Sequence, residues 1–105
     1  MVREVVTMTL DEILEDIHDL EADLGTYERK YGVLSETFYQ SYIAGEEPAD
    51  DAWVQDWTRW ASSYKVWLRR KEHYKLAMQK LTAQSPSLSD IIQRRARYEP
   101  LSISA

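Results

Sequence analysis

The sequence predicts an all-α protein, a long antiparallel helical hairpin with a short helix at its bend. Three observations carry this reading. Three glycines and three prolines in 105 residues leave few breaks, which favours long regular elements over a loop-rich β fold. Two stretches repeat large apolar residues at intervals of three and four, the seam of packed helices. The segments between those stretches carry helix caps and stops. A composition of 44% hydrophobic and 30% charged residues is that of a globular domain rather than a disordered chain.

The first seven residues, MVREVVT, are rich in β-branched side chains and read as a short extended arm. Thr9 with Glu12 three residues on is a capping-box pattern and starts the first helix. Leu10, Ile13, Ile17, Leu20, Leu24, Tyr27 and Tyr31 form its seam, and Gly32 is a natural stop. The helix is expected over about 10–31, roughly 33 Å at 1.5 Å per residue.

A second helix, about 36–44, opens at Ser35 as its cap and ends at Gly45. Its Phe38, Tyr39, Tyr42 and Ile43 are expected to share one face, making a short, aromatic-faced helix. The segment EEPADD then forms a linker, with a cap at Asp50 or Asp51. The third helix, about 52–83 and roughly 47 Å long, carries all four tryptophans in its first half. Trp53, Trp57, Trp60, Tyr64, Trp67, Lys71, Tyr74, Met78 and Leu81 step along one continuous seam. A ridge this bulky outruns the cover that one Leu/Ile helix and a short second helix offer, since each Trp or Tyr buries about 150–250 Å². A homodimer or a second protein is therefore expected to cover part of it.

Charge divides sharply along the chain. Residues 1–56 hold 15 Asp and Glu against three basic residues, a net of −12. Residues 57–105 hold ten Lys and Arg against three acidic residues, a net of +7. In an antiparallel hairpin, Asp11, Glu12, Glu15, Asp16 and Asp19 face Arg69, Arg70, Lys71 and Lys75. The division then becomes attraction within the fold, and Lys71 is expected to reach an acidic neighbour. The same cations offer a different reading. Arg69, Arg70, Lys75 and Lys80, with Arg94, Arg95 and Arg97, could contact phosphates of RNA or DNA while aromatic rings stack bases.

The domain is expected to end near residue 84, with 85–105 as a partner-binding tail. One or two helical turns are expected around Leu88–Tyr98, followed by an extended LSISA. Such a tail either wraps a partner or frays as a terminus.

Little in the chain points to catalysis or to a cofactor. There is no cysteine, so disulfides and thiolate zinc sites are excluded. Glu15 and His18 match the E-x-x-H pair of di-iron bundles, but a metal site needs a second pair, and no metal is expected. Arg69 and His73 lie one turn apart, similar to the arginine–histidine signature of HEPN-type ribonucleases. The spacing is shorter than that signature allows and its polar companion is missing, so no enzyme is expected. Apolar runs are too short for a membrane span and the N-terminus lacks a signal-peptide core, giving a cytoplasmic expectation.

The block YERKYGVLSETFYQSYIAGEEPADDAWVQDWTRWASSY resembles a group of small helical prokaryotic proteins, common in cyanobacteria and archaea, that are encoded beside small toxins, including TumE-like ones. The matching residues are Lys30-Tyr31-Gly32, Ser35, Phe38-Tyr39, Gly45-Glu46, Asp50-Asp51 and Trp57, with Tyr64 beyond. Two features depart from that pattern. Ala52-Trp53-Val54 stands where phenylalanines are usual, and residues 85–105 exceed what the pattern requires. The resemblance implies the antitoxin of a type II toxin–antitoxin pair, neutralising its toxin by direct binding and occlusion. Trp53, Trp60 and Trp67 would anchor the partner. Ile91, Ile92, Tyr98, Leu101 and Ile103 of the tail would cover or distort the toxin's active site. Alternatively, the acidic first helix could mimic nucleic acid in a basic cleft.

Overall fold

A computed structural model describes residues 8–98, and the described chain is all-α. It contains α1 (Leu10–Tyr31), α2 (Ser35–Ile43), a 3₁₀ turn (Asp51–Trp53), α3 (Val54–Gln84) and α4 (Leu88–Tyr98). The expected N-terminal arm and the LSISA segment lie outside the described residues. The chain forms two compact units, one up to His73 and one from Tyr74 onward. Their boundary falls inside α3, whereas the composition changes only after Gln84.

Each end of α1 is fixed by its own residues. Glu12 N–H donates to Thr9 Oγ1 at 3.1 Å and Thr9 N–H donates to Glu12 Oε1 at 2.9 Å, closing the capping box. At the other end Gly32 takes φ +78°, where a side chain would be strained, and its N–H donates to the Glu28 carbonyl. Between them every predicted seam residue is buried or half-buried, with Ile13, Ile17 and Leu24 the deepest. Asp50 caps the 3₁₀ turn that leads into α3, accepting from Ala52 N–H at 2.9 Å.

Within the first unit α1 and α3 run antiparallel. Tyr31 meets Trp53, Tyr27 meets Trp60, Glu21 meets Trp67 and Asp16 meets Arg70, so residue numbers fall along one helix as they rise along the other. Leu24, Phe38, Trp60, Ala61 and Tyr64 form the core where α2 packs against both. Trp60 is its centre, 1% exposed. Phe38 lies parallel to it at 3.9 Å, and Tyr27 and Tyr31 stack on it at 5.7 and 5.5 Å.

The tryptophan ridge is thus covered in large part from within the chain, and the covering residues are themselves aromatic. Tyr27 and Tyr31 of α1 and Phe38 of α2 supply that cover, while Trp53, Trp57 and Trp67 stay half-buried.

In the second unit Ser87 begins α4. Its Oγ accepts from Asp90 N–H at 3.1 Å and its carbonyl accepts from Ile91 N–H at 3.2 Å, an N-cap arrangement. Arg94 pairs with Asp90 one turn back at 3.2 Å, and its guanidinium also donates to Ser85 Oγ. The segment expected to hold a turn or two is therefore a helix of 11 residues.

Candidate partner-binding surface

Core polar groups come first, because they fix the walls of the surface. Ser35 was expected to cap α2, yet the capping position is Leu34, which makes no side-chain capping bond. Ser35 is instead the first residue of the helix and is 3% exposed. Its N–H and Oγ–H both donate to Glu28 Oε2, at 2.9 and 2.7 Å, and its Oγ accepts from Trp60 Nε1–H at 2.8 Å. A carboxylate on α1 thereby does the capping of α2, and the Ser35 hydroxyl that it holds satisfies the buried indole. A second polar junction joins the end of α1 to the start of α3. Asp56 Oδ2 accepts from Lys30 Nζ at 2.6 Å and from Tyr31 OH at 2.7 Å. The Lys30 hydrogen bond, then that of Tyr31, holds the Asp56 carboxyl below its ordinary range.

The three proposed tryptophan anchors differ in depth. Trp60 is the core centre and offers no surface, because α2 crosses α3 at that point. Trp53 is half-buried, edge-on to Tyr31 at 5.7 Å and stacked on Trp57 at 6.3 Å. Trp67 is also half-buried. It stacks on Tyr64 at 5.4 Å and donates from Nε1 to Glu21 Oε2 at 3.1 Å. Lys71 was expected to reach an acidic group, but its ammonium lies over the Trp67 ring at 5.0 Å.

Among the tail candidates, Ile91 is 3% exposed and Ile92 is 56% exposed, both on α4. Ile91 is thus buried in the free chain. Tyr98 ends α4, and Leu101 and Ile103 lie outside the described residues.

The basic residues are partly engaged. Arg70 pairs with Asp16 at 2.8 Å, an ion pair expected between α1 and α3, and Arg94 is held by Asp90 and Ser85. Arg69, Lys75 and Lys80 are exposed, Arg95 is half-buried and Arg97 lies in α4. Glu15 and His18 are exposed, and the described residues contain no group of three or more potential metal ligands. His73 Nδ1 is shielded from solvent and has no hydrogen-bond partner among the described residues.

The sequence reading missed a groove between α2 and α3. Tyr39, Gln40 and Ile43 of α2 line one side and Tyr64 and Leu68 of α3 the other, with Glu36 at its end. A second depression shares Glu36 and Tyr64 with it and continues past Leu34 and Trp67 to Glu21 and Glu28 of α1. Ile43, placed on one face with Phe38, Tyr39 and Tyr42, is 64% exposed, and Leu34 and Leu68 are 67% and 44% exposed. A nine-residue helix has too few turns for periodicity to fix its outermost residue. The signal available for Leu68 was its place one turn after Tyr64, beside the main seam. The linings hold three glutamates and no Lys or Arg. The negative charge of Glu36 also bears on Tyr64, whose phenol is raised above its ordinary value first by burial and then by that charge.

No family model, curated protein or solved structure matches the chain. No helix among the described residues is long and apolar enough to cross a membrane.

Proposed function

We propose that the protein acts by binding another protein, and specifically that it is an antitoxin that neutralises a small cognate toxin by occlusion in the cytoplasm. The observation that carries the binding reading is the cluster of exposed Leu34, Ile43 and Leu68 around half-covered aromatic rings. Single exposed apolar residues are ordinary, but a cluster on a domain that has closed its own core marks an interaction surface. The toxin–antitoxin part rests on the resemblance. What supports it is that Tyr31, Ser35, Phe38, Tyr39, Trp57 and Tyr64, half of the residues that carry the resemblance, are core or core-packed here, while Lys30, Gly32, Gly45, Glu46, Asp50 and Asp51 are exposed.

The test is a growth experiment. A small candidate toxin is expressed alone, then together with the full-length chain. Arrest in the first case and growth in the second is the expected outcome. Arrest that persists although both proteins accumulate would remove the antitoxin reading.

A further inference from the structure

The proposed function leaves open what kind of surface the partner presents, and the chemistry of the groove narrows it. Its floor is apolar and aromatic: Tyr39 and Ile43 from α2, Tyr64 and Leu68 from α3. Glu36 lines it, and Glu21 and Glu28, which accept from Trp67 and Ser35, line the adjoining depression, with no Lys or Arg in either lining. Both walls are helices, whose backbone groups already bond within the helix. The groove therefore has no open sheet edge on which an extended strand could pair. An occupant must satisfy its own backbone and bring side chains alone to the floor. A helix does both.

We infer that this groove receives a cationic amphipathic helix of the partner protein, two apolar side chains one turn apart seating on the floor and flanking Lys or Arg meeting Glu36 and Glu21. The inference rests on the partner-binding reading and specifies the partner's chemistry. Docking the same face of a second copy here would bring together two linings that hold glutamates and no Lys or Arg, which is unfavourable. The α4 helix of a second copy, with Leu88 and Ile92 63% and 56% exposed, is a competing occupant. Of its arginines, Arg94 is held by Asp90 and Ser85 and Arg95 is half-buried, which makes it a poorer match for an acidic margin.

The experiment uses the full-length chain, isotope-labelled, and a synthetic peptide of roughly 14 Leu and Lys residues, about four turns in amphipathic helical order. A peptide of equal composition in scrambled order is the control. The same titrations are repeated on Ile43→Ser/Leu68→Ser and on Glu36→Gln, all exposed positions whose replacement leaves the core intact. The ordered peptide is expected to shift the amide signals of Glu36, Ile43, Tyr64 and Leu68. It should bind about tenfold or more tightly than the scrambled one, and the double substitution should cost a similar factor. Glu36→Gln should weaken binding and flatten its salt dependence.

Equal binding of the two peptides, or shifts confined to another face, would overturn the inference. So would a concentration-dependent dimer abolished by the double substitution, because a second copy would then be the occupant. The peptide contains no toxin sequence, so a failure here leaves the growth experiment to judge the antitoxin reading separately.

Discussion

Trp60 and Ser35 show how much one contact can decide. Trp60 is enclosed by three stacked rings, and its indole N–H is satisfied by Ser35. Trp60→Ala should cost about 3–5 kcal/mol, the range for deleting a large aromatic from a core. Ser35→Ala removes far fewer atoms but strands the indole donor and leaves Glu28 without that buried partner. A cost of about 1–3 kcal/mol is expected. Chemical denaturation of both variants checks the ordering. If Ser35→Ala were as stable as the parent, the Glu28–Ser35–Trp60 chain would not be a structural element. None of this relay was legible locally. Ser35 has the composition of an N-cap, and only its partners 7 and 25 residues away reveal its use.

At the scale of elements, α1 was legible end to end because every signal agreed. Capping box, seam and left-handed glycine stop all point to Leu10–Tyr31. The seam of α3 was legible too, but periodicity gives the face that turns inward and not the depth at each step. That is why Trp60 was grouped with the half-buried Trp53 and Trp67. The α4 helix was underestimated although Ser87 and Asp90 spell a cap, because the following apolar pattern is short. Two substitutions test this level. Gly25 lies mid-helix, and an added Cβ meets only the Arg29 guanidinium, at 3.3 Å, on an exposed side chain free to move. Gly25→Ala should therefore stabilise the protein by about 0.5–1 kcal/mol, read as a higher denaturation midpoint. Ser87→Ala should cost α4 about 1 kcal/mol, read as faster amide exchange within Leu88–Tyr98 and unchanged exchange in α1.

For the whole molecule, stability should depend on pH at both extremes. Asp56 is held below its ordinary 3.8, so its contribution is present above that value and is lost as pH falls through the lowered one. Lys30 is raised above 10.5, chiefly by its hydrogen bond to Asp56, so its contribution is full below that value and fades as pH climbs past the raised one. Tyr31 and Tyr64 are raised above 10.0, chiefly by burial, and the folded state holds their protons longer than the unfolded chain does. Stability should therefore fall on the alkaline side, and Asp56→Asn should flatten the acid limb when melting is followed across pH.

Function belongs to this scale as well, since it needs a closed core and an open groove in one chain. The most direct measurement is titration of the purified full-length chain into a candidate toxin, following that toxin's own activity. The account predicts inhibition that saturates at a fixed stoichiometry and is lost in Ile43→Ser/Leu68→Ser, whose melting curve matches the parent's. Undiminished activity at saturating chain, with the chain instead retained on polynucleotide in a salt-sensitive way, would contradict it and make the exposed cations of α3 the working surface.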